Sequence, residues 1–201
     1  MSTKKDKINS QHRYFMNLAL LQAKRSVGNT SNNPAVGCLI TDKRMTTISV
    51  GRTQFNGRPH AESDAIIKSK QKLNGSNIYI TIEPCVHYGK TPPCTNKIIK
   101  NKINKVFFSL NDFDERSSGK AKKILKRNKI KVNESVQLKE INNFYSYYHK
   151  NKNKKLPYIT SKLAVSRDGY ICSKFSKYIT NEKSRKVSHL LRSRNDGILI
   201  T

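Results

Sequence analysis

Short apolar runs, separated by helix-patterned stretches, constrain this chain more than any other feature. "AVGCLIT" (35–41), "TTISVGR" (46–52), "NIYITI" (77–82) and "KVFFSL" (105–110) have strand length and are rich in β-branched and aromatic residues. Only the polar turn "DKRM" separates the first two, which predicts a hairpin. Elsewhere the period changes. Phe15, Leu18, Leu20, Leu21 and Ala23 recur at helical spacing over 11–26, and "GNTSNNP" stops that helix with turn formers. Further helices are predicted at 60–73, at 95–103 with Thr95 as cap, at 119–130 and at 139–150, with a short strand within "KVNESVQL". Strands alternating with helices after an opening hairpin predict an α/β three-layer sandwich over residues 1–150.

At "HKNKNKKLP" (149–157) charge rises and periodicity vanishes, which predicts a linker. Beyond it, 157–171 reads as a fresh strand and turn, 181–194 as a helix and "DGILIT" as an apolar strand. Residues 151–201 are too few to bury a core, so this second unit is expected to be a fragment of a larger domain or to lean on a partner. The exposed "GILI" strand is expected to promote association into a homo-oligomer.

Composition narrows the function classes. No apolar run is long enough to cross a bilayer, and the first fifteen residues lack the apolar core of a signal peptide, so the expected location is the cytoplasm, away from membranes. The formal net charge of +27 invites a nucleic-acid partner. However, Lys and Arg are spread through every segment, and no aromatic residues alternate with them as a stacking platform requires. The abundance of Lys, Asn and Ile together reads as an A/T-rich coding bias, so no nucleic-acid partner is expected. Of the four cysteines, Cys38 lies inside an apolar run and reads as core, while Cys172 has no ligand-like neighbour.

The chemistry gathers around "PHAES" (59–63) and "EPCVHYGKTPPC" (83–94). Zinc in a catalytic site takes three protein ligands and keeps a fourth position open for water. His60, Cys85 and Cys94 supply one imidazole and two thiolates, and Glu62 is left over as the acid/base shuttle beside that water. His60 and Glu62 at one helix N-terminus can both reach a metal beyond its end, and a second helix N-terminus is predicted just after Pro84, at Cys85. Alone, either motif would be weak, and His87 is a competing ligand. Together they match the zinc nucleobase-deaminase pattern His-x-Glu…Pro-Cys-x-x-Cys, with the second cysteine arriving after eight residues instead of two.

In order, "NPAVG" (33–37), "HAE" (60–62), "IEPCVHYGKTPPC" (82–94) and the Asp112 loop resemble the deaminase half of the bifunctional riboflavin-biosynthesis deaminase–reductases. The eight-residue spacer ending in "TPPC" sets that family apart from tRNA adenosine and free cytidine deaminases. The resemblance implies a cytidine-deaminase-like sandwich acting on 2,5-diamino-6-ribosylamino-4(3H)-pyrimidinone 5′-phosphate, with zinc as cofactor. It places Asn33 on the pyrimidine, His87 and Lys90 near the ribose phosphate and Asp112 on the sugar. Departures from the family pattern are Asn32 in "SNNP" and the "DFDE" loop, where Phe113 and Glu115 replace prolines and Asp114 puts an acid near the phosphate.

Residues 162–171, 178–187 and 190–201 are similar to the start of that family's NADPH-dependent, dihydrofolate-reductase-like domain. Ala164 and Tyr178 match cofactor positions there, and Ser176 and Arg192 match substrate positions. Arg167 departs from the usual leucine. Because the sequence ends before most of that site is built, no reductase activity is expected of this chain. The competing reading is a zinc deaminase acting on tRNA or a nucleotide; a third is a zinc-stabilised binding protein without catalysis.

Overall fold

Side chains alternate across the strands and divide the core in two. Cys38, Ile40, Ile78, Ile80, Val106 and Phe108 face one side of the sheet, and Leu39, Tyr79 and Phe107 face the other. The computed structural model describes residues 4–134, 136 and 139–199. The chain divides into two units, Met1–Pro157 and Tyr158–Thr201.

In the first unit five strands form one sheet: β1 (Gly37–Thr41), β2 (Thr47–Arg52), β3 (Asn77–Ile82), β4 (Lys105–Leu110) and β5 (Lys131–Asn133). Their spatial order is β2-β1-β3-β4-β5. β1 runs antiparallel to both β2 and β3, while β3–β4 and β4–β5 are parallel. The predicted hairpin is present, and Asp42 closes its turn by accepting from Arg44 N and Thr46 N, each at 2.8 Å. β3 lies at the centre and is buried along its whole length, as a strand covered on both faces must be.

Helices cover both faces and give the expected three layers. α1 (Lys4–Lys24) and α5 (Lys139–Phe144) pack on the face of Tyr79 and Phe107 through Phe15, Met16, Ala19 and Ile141. α2 (Ala61–Lys68), α3 (Cys94–Lys100) and α4 (Ala121–Arg127) cover the other through Ala61, Ala65, Ile98 and Leu125. α2 lies close to β2 because Gly51 lacks a side chain: a Cβ there would stand 2.2 Å from Ala61 O. That contact fixes the start of α2, where the site is built.

Several boundaries differ from expectation. The first helix begins at Lys4, and α2 ends at Lys68, where Ser69 turns the chain through its hydroxyl and Gln71 O at 3.0 Å. The single helix expected over 139–150 is two, α5 and α6 (Ser146–Lys154), broken at the buried Tyr145. The expected linker is therefore helical up to Lys154, and Lys155 ends it with left-handed φ of 55°. In the second unit α7 (Glu182–Arg192) forms as predicted, capped by Asn181, whose side chain accepts from Ser184 N at 2.9 Å. The strands expected around 157–171 and 196–199 are absent among the described residues, because no neighbouring strand is available to satisfy their backbones; Ile200 and Thr201 lie outside the described residues. Among the described residues no helix is long and apolar enough to cross a membrane.

Candidate active site

The backbone brings His60 to the sheet's edge as the N-cap of α2, extended at φ −65° and ψ 158°. Its side chain makes no capping bond and turns instead toward the loop after β3. There His60 Nδ1 stands 3.6 Å from Cys85 Sγ and 3.4 Å from Cys94 Sγ. These three ligand atoms lie within 4.8 Å of one another and form the one such metal-capable group of His, Cys, Asp and Glu found among the described residues. Tetrahedral zinc with bonds of about 2.0–2.3 Å needs ligand atoms roughly 3.5–3.8 Å apart. The observed spacing and the donor set of one imidazole and two sulfurs fit that ion.

The loop geometry corrects one expectation. No helix starts after Pro84; residues 84–93 form an irregular loop, and α3 begins at Cys94 with Pro93 as N-cap. Thr95 is thus inside the helix, and its hydroxyl donates to Cys85 O at 3.2 Å rather than capping. Cys94 N donates to Cys85 Sγ at 3.3 Å, so a helix-terminal amide still serves a cysteine, though from the other residue. That bond and the Cys94 thiol prepare the pair chemically. The Cys94 thiol donates to Cys85 and, with His60, pulls Cys85 down to about 4, whereas the same interaction and burial push Cys94 well above the ordinary thiol range.

Glu62 lies one residue inside α2 and is 4% exposed. Burial, with the nearby Cys85 charge, raises its carboxyl to about 7. The His60 imidazole is raised, first by its bond to Cys85. Its other nitrogen, Nε2, accepts from Arg58 Nη1 at 2.9 Å, because a guanidinium has only donors. Arg58 also donates to Thr91 Oγ1 at 2.7 Å, which ties the ring to the "TPPC" loop.

The expected substrate residues of the first unit lie on the loops around this cluster. Asn33 is half-buried and packs on Gly57, whose φ of +81° and missing side chain make the room; a Cβ there would stand 2.1 Å from Asn33 Nδ2. Ser117 Oγ accepts from Val86 N at 3.2 Å and pairs with His87 Nδ1 at 2.8 Å. That bond holds the His87 ring through Nδ1. Lys90 is exposed. Asp112 is half-buried and burial raises it to about 6. The acid introduced at Asp114 is engaged by Arg116, with Nε to Oδ1 at 2.9 Å, and is held far below the usual carboxylate range. Phe113, in place of a proline, packs edge-on against Tyr148 and His149 at 5.6 and 5.7 Å between ring centroids.

The sequence reading missed Glu83. Its carboxylate accepts from the backbone N–H groups of Asp112, Gly119 and Ala121 at 3.2, 2.7 and 2.8 Å, and so fixes the Asp112 loop to the end of β3, just before the loop that carries Cys85. Its position just before Pro84 was the available signal. In the second unit Tyr178 lies under the Arg185 guanidinium at 4.3 Å, Ser176 Oγ donates to Tyr178 O at 2.9 Å, Ala164 is half-buried and Arg192 ends α7.

The chain is 36% identical over 192 residues to the riboflavin biosynthesis protein RibD of Aquifex aeolicus, covering 92% of this chain and 52% of that protein. The RibD of Escherichia coli is 34% identical over 191 residues, with 94% and 52% covered. A solved diaminohydroxyphosphoribosylaminopyrimidine deaminase/5-amino-6-(5-phosphoribosylamino)uracil reductase from Thermotoga maritima superposes with a TM-score of 0.80 at 32% identity, over 90% of this chain and 53% of that one. RibD of Acinetobacter baumannii gives a TM-score of 0.80 at 33% identity, over 92% and 52%. The chain thus spans about half the length of the curated relatives it matches. Residues 9–110, which carry most of α1, the hairpin, Cys85, Cys94 and the His60–Glu62 pair, match the cytidine and deoxycytidylate deaminase zinc-binding region. With the ligand spacing and the family match in agreement, the chain belongs to the zinc-binding cytidine and deoxycytidylate deaminase family.

Proposed function

We propose that the chain catalyses hydrolytic deamination of 2,5-diamino-6-ribosylamino-4(3H)-pyrimidinone 5′-phosphate, a step of riboflavin biosynthesis. Water adds at the amidine carbon, the 2-amino group leaves as ammonia, and 5-amino-6-ribosylaminouracil 5′-phosphate results. The observation that carries this reading is the convergence of His60, Cys85 and Cys94 beside a buried, unliganded Glu62, in a chain similar to RibD proteins along most of its length.

Zinc held by His60 Nδ1 and the two cysteine sulfurs supplies, when bound, the Lewis acidity that brings the pKa of a water toward about 7. The protein's own groups do the rest. Glu62, raised to about 7, matches the pKa of a group that must both take and return a proton near neutral pH. It removes the water proton and passes protons to the ring nitrogen and the leaving amine. Asn33 orients the pyrimidine, His87 and Lys90 receive the phosphate, and Asp112 takes a sugar hydroxyl. The engagement of Asp114 by Arg116 lessens the repulsion that an acid in this loop would exert on a phosphate.

We assign the deaminase to residues 1–150 and read 151–201 as the start of an NADPH-dependent reductase unit, with Ala164 and Tyr178 toward the cofactor and Ser176 and Arg192 toward substrate. Ammonia release from the phosphorylated pyrimidine, with tRNA as the control substrate, tests the deaminase. Glu62→Ala is expected to lower turnover about 10²–10⁴-fold while zinc content and melting temperature stay unchanged. Turnover retained in that variant, or ammonia from tRNA alone, would sink the proposal.

A further inference from the structure

Cys94 has a polar neighbour outside the ligand set. Ser63, in the first turn of α2 and 3% exposed, directs its hydroxyl at Cys94 Sγ across 4.0 Å. Lys97, one turn beyond Cys94 on α3, places Nζ 2.8 Å from the same hydroxyl oxygen. An ammonium group only donates, so Ser63 Oγ accepts from Lys97 and its own hydrogen is free to point at the sulfur. The row thus runs from cation to hydroxyl to sulfur. Among the described residues Lys97 forms no ion pair with a carboxylate that would draw its charge elsewhere.

The two cysteines are therefore served differently. Cys85 receives a backbone amide, the N–H of Cys94. Cys94, the more deeply buried of the two, faces this side-chain row from outside the ligand cluster. Donors behind metal ligands commonly change metal affinity by about 10–100-fold.

We propose that Lys97 and Ser63 act as positioning residues, a charge-assisted relay behind Cys94 that orients its sulfur toward the metal and moderates how strongly it donates. The relay rests on the zinc-site reading above. The two helices that carry the zinc ligands, α2 and α3, then also carry the groups that tune one of them, so a change at Lys97 reaches the metal without touching a ligand.

Chelator competition for zinc and the sulfur-to-cobalt charge-transfer band of the cobalt-substituted full chain test the relay. Lys97→Met and Ser63→Ala are each expected to lower zinc affinity about tenfold and to move the band to longer wavelength. Lys97→Arg restores both, and the double variant is no worse than either single one, because the two residues act in series. An unmoved band and affinity in Lys97→Met overturns the relay. So does a double variant whose loss is the product of the two singles. A fall in melting temperature with the band unmoved makes the pair a plain tie between helices, which also overturns it. Cys94→Ser reports on the underlying site: if this variant keeps the band and affinity of the parent, the zinc-site reading fails, whatever the behaviour of Lys97.

Discussion

Lys102 and Lys129 adopt left-handed φ values of 54° and 60°, where a side chain is costly. Each sits one residue past a helix cap and closes the same paired turn. Lys102 N bonds Ile99 O at 2.9 Å while Ile103 N bonds Ile98 O at 3.4 Å; Lys129 N bonds Lys126 O and Ile130 N bonds Leu125 O, both at 3.0 Å. The buried Ile103 and Ile130 supply the apolar contact that accompanies such a stop. Glycine is the usual residue at this position, and its absence explains why the sequence reading ran both helices three residues too far, to 103 and 130 rather than 100 and 127. Lys102→Gly is expected to stabilise the protein by about 0.5–1 kcal/mol, relief of left-handed strain less the added chain entropy of glycine. In a chain of net charge +27, loss of a lysine by itself could also stabilise. Lys102→Ala separates the causes, since it removes the charge and keeps the Cβ. Thermal melts in which alanine equals glycine would assign the gain to charge and refute the strain argument.

At the scale of elements, the strands were legible because burial on both faces writes continuous apolar runs, and the hairpin because "DKRM" leaves room for nothing else. The cysteine loop was misread where Pro84 was taken as a helix start. Gly89 and the pair Pro92–Pro93 leave no stretch before Cys94 able to form helical hydrogen bonds, so the helix signal belongs to Pro92–Pro93 and not to Pro84. The break at Tyr145 had no local signal, since its cause is distant in sequence. Tyr145 OH donates to Ala35 O at 2.7 Å and accepts from Thr81 Oγ1 at 2.6 Å, and Thr81 Oγ1 in turn accepts from Gly37 N at 3.1 Å. This buried row ties the α5–α6 junction through β3 to the loop that presents Asn33. Tyr145→Phe leaves Ala35 O without its donor and is expected to cost about 1–3 kcal/mol. If the row also sets the Asn33 loop, KM for the pyrimidine rises with kcat nearly unchanged. A variant with parental melting temperature and KM would show that the row is incidental to both.

For the whole molecule, the location of the core decides which part of the chain the deaminase needs. Every buried residue among those described lies at or before Tyr145, and none of residues 158–199 is buried. Val187, Leu190 and Leu191 on α7 are exposed, as are Ile159, Leu163 and Phe175. A unit of that size gains too little from burial to offset the entropy of ordering its backbone, which is why apolar strand patterns there formed no strands. The His60, Cys85 and Cys94 cluster, Glu62 and the loops proposed to bind substrate all precede Pro157. A chain ended at Pro157 is therefore expected to keep zinc, deaminase turnover within about twofold and a melting temperature within a few degrees of the parent. Since the removed unit contributes no buried residue, its loss should instead register as reduced association at high protein concentration, by removal of exposed apolar side chains. Side-by-side calorimetry, zinc analysis and ammonia release on the two chains decide the matter. A shortened chain that loses zinc or melts far below the parent would mean that residues 158–201 stabilise the deaminase through contacts that leave them largely exposed, and the functional unit would then be the whole chain.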